Sequence, residues 1–255
     1  MTDELFDLED RVVLVTGGSR GLGKAMSIGL ARRGARIVIA SRKLDACQEL
    51  AAEIRQAGGQ AYPLTCHVGD WESLDRVVDS ATSMWGRLDG LVNNAGISPL
   101  APSLLETSET LFDKVIGVNL KGPMRLTALA ARAMSDTSGG GSIVNISSLA
   151  SVKPTPITTV YGAAKAGLNA LTSASAIEYA PVGVRVNGII CGTFETDITT
   201  GLVSDPDLLP EILRSIALKR IGQPDEIVGA AVYLLSNASR YTTGSIMTID
   251  GGVTG

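Results

Sequence analysis

The chain has 255 residues, of which 45% are hydrophobic and 19% charged, a composition typical of a globular protein. Its formal net charge of −4 argues against a nucleic-acid partner, because no basic patch is available to displace counterions from phosphates. The acidic start lacks the parts of a secretory signal, and no stretch approaches the ~20 apolar residues that span a bilayer. We therefore expect a cytoplasmic protein without a membrane partner.

Cysteines and histidine limit the chemistry further. Cys47, Cys66 and Cys191 are widely spaced and odd in number, which favours free thiols in a reducing cytosol over disulfides. With His67 as its single histidine, the chain has little material for a metal centre, and we predict no metal site.

Strands and helices alternate along the chain. The apolar run 12–15 predicts a strand that leads through a glycine-rich turn into a helix at 22–33. Further strands are predicted at 36–40, 61–66, 88–92, 142–146, 184–190 and 245–249, and further helices at 44–57, 71–84, 109–133, 158–179 and 225–235. The alternation predicts one α/β domain, 1–255, with a doubly wound, parallel, seven-stranded sheet of the Rossmann type.

The least regular stretch is 194–220, where Gly201, Pro206 and Pro210 interrupt two weak helical patterns. It follows a predicted strand, and open α/β sheets bind ligands beyond the carboxyl ends of their strands. We predict a mobile lid over the substrate, with an ordered helical excursion as the alternative.

The turn after the first strand reads Thr16-Gly17-Gly18-Ser19-Arg20-Gly21-Leu22-Gly23. Glycines let the backbone approach a pyrophosphate, whose charge is favoured at a helix N-terminus. Such turns also serve packing, but at the start of a βαβαβ pattern this one favours dinucleotide binding. The predicted binding residues are Gly17, Ser19, Arg20, Gly21, Leu22 and Gly23.

Residues after the second strand favour NADP(H). An acidic residue there binds the ribose of NAD, whereas an arginine accepts a 2′-phosphate. The chain reads Ala40-Ser41-Arg42-Lys43, and Arg20 points from the glycine turn towards the same region. Because an arginine fork suits phosphate and Ser41 can add a hydrogen bond, NADP(H) is favoured and NAD(H) stays possible. The alternative is a merely solvated loop at Arg42 and Lys43.

Tyr161 and Lys165 are four residues apart on a predicted helix and therefore share a face. A nearby ammonium favours the phenolate, so Lys165 is expected to lower the pKa of Tyr161 and make it a general acid/base. Ser148 ends a strand and can hydrogen-bond a substrate oxygen. A tyrosine and a lysine at this spacing are most often surface residues, so the pair gains weight only beside the other motifs.

Together these motifs resemble the short-chain dehydrogenase/reductase family over essentially the whole chain. The matching pieces are Thr16-Gly-x-x-x-Gly-x-Gly23, Asn93-Asn94-Ala95-Gly96, Asn119, Ser148 and Tyr161-x-x-x-Lys165. The resemblance implies an NAD(P)-dependent carbonyl reductase or secondary alcohol dehydrogenase of class EC 1.1.1.-. It also implies a homotetramer or homodimer, because the family's long helices (here 109–133 and 158–179) usually pack across a dimer axis.

The resemblance implies a role for each matching residue. Ser148 orients and polarises the carbonyl and Tyr161 exchanges the proton, while Lys165 binds the nicotinamide ribose and lowers the tyrosine pKa. Asn119 supports a water that links Lys165 to solvent. The segment 93–96 stabilises the central sheet, and its members Asn94, Ala95 and Gly96 line the cofactor cleft.

Two positions depart from the family pattern. Cys191-Gly192 replaces Pro-Gly, and because proline fixes φ, its loss is expected to loosen the segment that closes on nicotinamide. We interpret Cys191 as a small buried hydrophobe, with Gly192, the Phe194 backbone and the Thr196 hydroxyl still matching cofactor contacts. His67-Val68 replaces Asp-Val or Asn-Val beside the adenine. There His67 is expected to stack on or hydrogen-bond the base, and Val68 to supply its backbone N–H.

The predicted surroundings of the substrate are mostly apolar and lack an obvious charged anchor. The predicted substrate contacts are Ser148, Val152, Pro154, Tyr161 and Phe194. This favours a small-molecule ketone with an apolar or acyl chain, and the pattern is similar to 3-oxoacyl-carrier-protein reductases. A gluconate-type sugar dehydrogenase and a non-catalytic nucleotide-sensing protein on the same fold are the alternatives.

Overall fold

The computed structural model describes residues 4–197, 199–203 and 205–254, which form a seven-stranded parallel sheet. The strand order is β3-β2-β1-β4-β5-β6-β7, so the direction of winding reverses between β1 and β4. The strands are β1 (Val12–Thr16), β2 (Arg36–Ser41), β3 (Gln60–Thr65), β4 (Gly90–Asn93), β5 (Gly141–Ser148), β6 (Val184–Cys191) and β7 (Ile246–Ile249). The predicted doubly wound α/β fold is confirmed, and its switch point is where such sheets bind ligands.

Helices cover both faces of the sheet. They are α1 (Gly21–Ala31), α2 (Leu44–Gln56), α3 (Leu74–Ser83), α4 (Glu109–Ile116), α5 (Gly122–Ser138), α6 (Thr159–Tyr179), α7 (Thr200–Val203), α8 (Leu208–Ser215) and α9 (Val228–Leu235). Val13 and Val15 of β1 pack in one apolar cluster with α1, α2 and α9, whereas Val12 and Leu14 pack in a second with α3 and α5. Strand side chains alternate between the two faces of the sheet, and both faces of β1 are covered by helices. All of β1 is therefore buried.

The helix predicted at 109–133 is interrupted in the structure. A π-helical turn, Gly117–Lys121, separates α4 from α5, and α5 ends only at Gly139, whose φ of +68° is left-handed. Gly122 begins α5 beside Val68, because an added Cβ would lie 2.1 Å from the Val68 carbonyl oxygen. The π turn contains Asn119, and such turns occur frequently at functional sites.

The chain leaves the sheet after β6 and returns before α9, and the short helices α7 and α8 lie in this excursion. Its ends are joined, since Glu195 N donates to Gly222 O (2.8 Å) and Gly222 N donates to Thr193 O (3.0 Å). The described part of the excursion thus contains two short helices between joined ends, and the lid stays a prediction. Ile198 and Ser204 of the predicted lid, and residues 1–3 and 255 of the predicted domain, lie outside the described residues.

Candidate active site

The glycine-rich turn after β1 packs closely against the end of β4. A Cβ added at Gly23 would lie 2.1 Å from the Gly17 carbonyl oxygen. A Cβ added at Gly17 would lie 2.9 Å from the Ala95 Cα. Asn94 fixes this approach, because its Nδ2 donates to the carbonyl oxygens of Thr16 (3.0 Å) and Gly17 (3.1 Å). Side chains are thus excluded at these positions, and the backbone of the turn can approach a ligand.

The start of α1 is suited to an anion. Arg20, its N-cap residue, is extended (φ −152°) and makes no side-chain capping bond among the described residues. The first turn, which contains Gly21, Leu22 and Gly23, therefore presents N–H groups that need an acceptor, at the positive end of the helix dipole. These residues fit the pyrophosphate of a dinucleotide.

The end of β2 lies next to this turn. The Ser19 hydroxyl donates to Ser41 Oγ (3.0 Å), and the Arg42 side chain beside Ser41 is exposed. Arg20 differs from the prediction, because its guanidinium lies 3.5 Å from the carboxylate of Asp197 rather than pointing to β2. The expected direction of Arg20 is corrected: an acidic residue at the start of the excursion pairs with it.

His67 and Val68 follow β3 at the same edge of the sheet. His67 is exposed, and its Nδ1 accepts a hydrogen bond from Gly69 N (3.2 Å). Val68 is buried. The histidine closes a turn at the rim, so its ring face and Nε2 are the parts left for an adenine.

Ser148, Tyr161 and Lys165 meet at the carboxyl end of β5. Ser148 ends the strand, and its Oγ accepts from Ala150 N (3.2 Å). Lys165 is 3% exposed, and its Nζ donates to Ile146 O (2.7 Å). The same Nζ lies 5.8 Å from the centre of the Tyr161 ring. The structure therefore brings three of the four predicted catalytic side chains together, and the fourth, Asn119, lies in the π turn.

The electrostatics of this group differ from expectation. Burial raises the pKa of Tyr161, and this effect outweighs the hydrogen bond with Ser148, which lowers it. Burial also lowers the pKa of Lys165 to about 8. The expected lowering of the Tyr161 pKa by Lys165 is corrected, because desolvation of the phenolate dominates within the protein. At neutral pH Tyr161 is therefore a phenol, which is a proton donor.

Asn119 is fully buried in the π turn. Its Nδ2 donates to the carbonyl oxygens of Ile97 and Val115 (2.9 Å each), and its Oδ1 accepts from Ile97 N (3.2 Å). An added Cβ at Gly96 would lie 2.9 Å from Asn119 Oδ1 and 3.7 Å from Lys165 Nζ. Only a glycine thus fits between Asn119 and Lys165.

Cys191 belongs to β6, in register with Ser148 of β5 and Ile249 of β7. The ladder continues, since Gly192 N donates to Ile249 O (2.9 Å). The ladder thus continues through Cys191 to Gly192, and the expected loosening of this segment stays a prediction. Cys191 is buried, and burial raises the pKa of its thiol to about 12, as befits a small hydrophobe.

Phe194 and Thr196 begin the excursion. The Phe194 side chain is 4% exposed and packs in the apolar core. A Cβ added at Gly222 would lie 2.9 Å from its ring carbons, so the ring excludes a side chain there. This burial disagrees with the predicted contact between the Phe194 side chain and substrate, and leaves its backbone as the predicted cofactor contact. The Thr196 side chain lies 3.5 Å from a Cβ built on Gly21, so the excursion starts against the glycine turn. Val152 and Pro154, in contrast, are exposed, and their contact with substrate stays a prediction.

Thr16 links the glycine-rich turn to β4, a role that the motif Thr16–Gly23 does not reveal by itself. Its Oγ1 donates to Val92 O (3.1 Å) and accepts from the N–H groups of Asn94 (3.1 Å) and Ala95 (3.2 Å). Thr16 thereby joins β1 to β4 at the switch point. A hydroxyl between an apolar strand and a glycine turn was the signal for this role.

The chain is similar to known dehydrogenases and reductases over nearly its whole length. The family described as enoyl-(acyl carrier protein) reductase matches residues 17–254. L-rhamnose 1-dehydrogenase (NAD(P)(+)) of Azotobacter vinelandii is 37% identical, over 96% of this chain and 97% of its own. A short-chain type dehydrogenase/reductase from Mycobacterium marinum is 35% identical with a TM-score of 0.93, covering 98% of both chains. A gluconate 5-dehydrogenase from Burkholderia cenocepacia J2315, in complex with NADP and tartrate, is 33% identical with a TM-score of 0.94, also over 98% of both.

The fold and the site define an NAD(P)-dependent oxidoreductase of class EC 1.1.1.- that acts on a small molecule. The chain belongs to the short-chain dehydrogenase/reductase family. Among its described residues, no helix has the length and apolar character needed to cross a membrane. Nor do the described His, Cys, Asp and Glu side chains form a group of three suited to a metal ion.

Proposed function

We propose that the protein is an NADP(H)-dependent carbonyl reductase, or secondary alcohol dehydrogenase, that uses Ser148, Tyr161 and Lys165 with Asn119. One observation carries the proposal: Tyr161 is a phenol beside Ser148 and a buried lysine at the ligand-binding edge of the sheet. A non-catalytic nucleotide sensor has no need for a buried ammonium, which is costly to desolvate.

The dinucleotide would lie across the switch point of the sheet. Its pyrophosphate fits the glycine turn, with Ser41, Arg42, His67 and Val68 around the adenosine. Asn94, Ala95, Gly96, Gly192, the Phe194 backbone and Thr196 would line the nicotinamide part. When bound, the nicotinamide supplies or accepts the hydride.

The protein's own residues then manage the oxygen. Ser148 donates a hydrogen bond to the carbonyl oxygen, and Tyr161 donates its proton to that oxygen as the alcohol forms. In the opposite direction the phenolate is needed, so alcohol oxidation should increase as the pH rises towards the Tyr161 pKa. Lys165, held by Ile146 O and flanked by Asn119, binds the ribose and stabilises the phenolate.

The preference for NADP(H) rests on Arg42. Arg42 is exposed next to Ser41 at the end of β2, and the first carboxylate after this strand is that of Asp45. A guanidinium binds phosphate in a bidentate manner. The gluconate 5-dehydrogenase structure contains NADP, and the rhamnose enzyme is named for both nucleotides, so relatives are compatible with either cofactor.

The preference for an apolar or acyl-chain ketone rests on the surroundings of Tyr161. Leu100, Val152 and Ile157 are 60%, 51% and 43% exposed near the site. A recess beside Tyr161 is lined by further apolar groups, among them Leu111 and Val160. The nearby Lys153 ammonium donates to Val253 O, so it is already engaged and does not serve as an anchor for an acid.

A sugar or polyol substrate is the second candidate, because two relatives are named as rhamnose and gluconate dehydrogenases. A substrate panel separates the candidates. Wild type and Tyr161→Phe would be assayed with NADPH and NADH on alkyl ketones and 3-oxoacyl thioesters, and with NADP⁺ and NAD⁺ on rhamnose and gluconate. Fastest turnover of an apolar ketone with NADPH supports the first candidate, and fastest oxidation of a sugar supports the second. Failure to turn over any member, or an unaffected Tyr161→Phe, contradicts both.

The excursion at 194–220 is proposed as a lid whose ends are fixed by the hydrogen bonds between Thr193, Glu195 and Gly222.

A homotetramer or homodimer is proposed because the outer faces of α4 and α5 expose Phe112 and Met124. Light scattering that gave the mass of a monomer would contradict this. The three buried free cysteines fit a cytoplasmic location.

A further inference from the structure

The helix that carries Tyr161 and Lys165 also supports the end of β5 at a point beyond Ser148. Asn169 lies one turn after Lys165 on α6, so the two share a face with Tyr161. Asn169 Nδ2 donates to Ser151 Oγ (2.9 Å), in the turn Leu149–Ser151 that follows Ser148.

The hydrogen bond continues from Ser151 to Ser148. Ser151 Oγ donates to the Ser148 carbonyl oxygen (2.6 Å), while Ser148 Oγ accepts from Ala150 N (3.2 Å). Both the carbonyl and the hydroxyl of Ser148 are therefore held by the turn 149–151. The turn also packs on α6 directly, since an added Cβ at Gly162 would lie 2.7 Å from Ala150 O.

The direction of these bonds requires an amide at position 169. A serine hydroxyl has one proton, and in Ser151 it is used on the Ser148 carbonyl, so the neighbour of Ser151 must be a donor. Asn169 Nδ2 is that donor. The Asn169 Oδ1 is buried and has no hydrogen-bond partner among the described residues, which is a cost that an aliphatic side chain would avoid. The amide is thus poorly explained by packing.

We propose that Asn169 and Ser151 are positioning residues, which hold the Ser148 hydroxyl in register with Tyr161 through the chain Asn169–Ser151–Ser148. This rests on the proposed function of Ser148 and Tyr161. The two residues touch neither substrate nor nucleotide. They fix the distance between a strand end and a helix, on which the geometry of carbonyl binding depends.

The test uses the full chain and the best ketone of the substrate panel. Ser151→Ala, Asn169→Ala and the double variant are compared with wild type for kcat, nucleotide affinity and the pH dependence of alcohol oxidation. Each single variant should lower kcat about tenfold, the effect of about one hydrogen bond, with nucleotide affinity unchanged. The double variant should be no slower than the slower single variant, because both act through one chain of bonds.

The pH profile separates positioning from a structural role. When Ser148 moves away, Tyr161 loses a hydrogen bond that favours its phenolate, so the apparent pKa for oxidation should rise in the variants. Ser138→Ala is the matched control, since Ser138 Oγ donates to Leu88 O (2.8 Å) at the opposite edge of the sheet. It should change neither kcat nor the profile.

The outcomes are distinguishable. Wild-type kcat and pH profile in Ser151→Ala and Asn169→Ala, with Tyr161→Phe inactive, would overturn the positioning proposal alone; multiplicative losses in the double variant would overturn it as well. Wild-type turnover in Tyr161→Phe would instead overturn the proposed function. If Asn169→Ala does not fold, the isosteric Asn169→Asp replaces it: this side chain cannot donate to Ser151, and the same loss of kcat is expected. Ser151→Thr, which keeps the hydroxyl, should restore kcat.

Discussion

The two sides of the candidate site are built differently. On the nucleotide side, Gly17 and Gly23 leave no room for a side chain, and Thr16 and Asn94 bond to the backbone around them. On the substrate side, Leu100 and Val152 are more than half exposed. Close contacts therefore constrain the residues proposed to bind the nucleotide. The residues proposed to select the substrate are exposed, so they can be changed without disturbing the fold.

The largest expected effect is on the nucleotide side. Gly23→Ala places a Cβ 2.1 Å from Gly17 O, so the glycine turn must open. We expect at least about a hundredfold loss of affinity for NADPH and NADH alike, measured by fluorescence titration. Gly229→Ala is the control: its Cβ would meet nothing within 4 Å in α9, and a small gain of stability is expected. Unchanged affinity in Gly23→Ala would show that the packing of the turn is not needed for binding.

Lys165→Met is expected to separate activity from stability. Loss of the ammonium should lower kcat by about a hundredfold or more. A pKa held near 8 rather than 10.5 means that burial of the charge costs about 3 kcal/mol below pH 8. The variant should thus gain up to about that free energy of unfolding at pH 7, less the hydrogen bond to Ile146 O.

The difference in stability between Lys165→Met and wild type should depend on pH. The unfolded lysine binds a proton up to about pH 10.5 and the folded one only up to about 8, so wild-type stability rises between these values. The advantage of Lys165→Met should accordingly shrink from pH 8 to 10.5 in chemical denaturation. A variant less stable than wild type at pH 7 would contradict the account.

Arg42→Ala should have a smaller and more selective effect. Loss of a charge-assisted contact with the 2′-phosphate is expected to weaken NADPH about 10- to 100-fold and to leave NADH unchanged. Arg20→Ala should have less effect, because Asp197 already pairs with Arg20. Steady-state KM values for both nucleotides decide this, and an NADPH preference that persists in Arg42→Ala would refute the assignment.

The smallest expected effect is on the substrate side. Val152→Ser removes part of a half-exposed apolar surface and should raise KM for an apolar ketone only about fivefold, without changing nucleotide affinity or stability. Val182→Ser is the matched control, because Val182 is 42% exposed but lies just before β6, at the edge of the sheet opposite the site, and this variant should leave KM unchanged. An unchanged KM across apolar ketones in Val152→Ser would remove Val152 from the substrate contacts.

Sequence patterns predicted the features that depend on neighbouring residues, namely strands and the faces of helices. Buried β-branched runs identified strands such as β1, and the spacing of Tyr161 and Lys165 placed them on one helical face, as the structure shows. Long-range contacts were not predictable in the same way. The pairing of Arg20 with Asp197 joins segments that are distant in sequence, and no local pattern reports it.

Burial was the second source of error. Phe194 was predicted to contact substrate, but its ring fills the core over Gly222. The pKa of Tyr161 was predicted to fall beside a lysine, but desolvation raises it. The π turn at Asn119 and the bond from Asn169 to Ser151 depend on how α4, α5 and α6 pack, and residue spacing alone contains no such information.

Single-turnover hydride transfer tests the central claim most directly. Enzyme saturated with NADPH would be mixed with the best ketone in a stopped-flow instrument, and NADPH absorbance followed for wild type and Tyr161→Phe. The account predicts equal NADPH affinity for both proteins and a hydride-transfer rate at least about a hundredfold lower in Tyr161→Phe, because the proton donor is missing. Equal rates in the two proteins would contradict the assignment of Tyr161 as the proton donor.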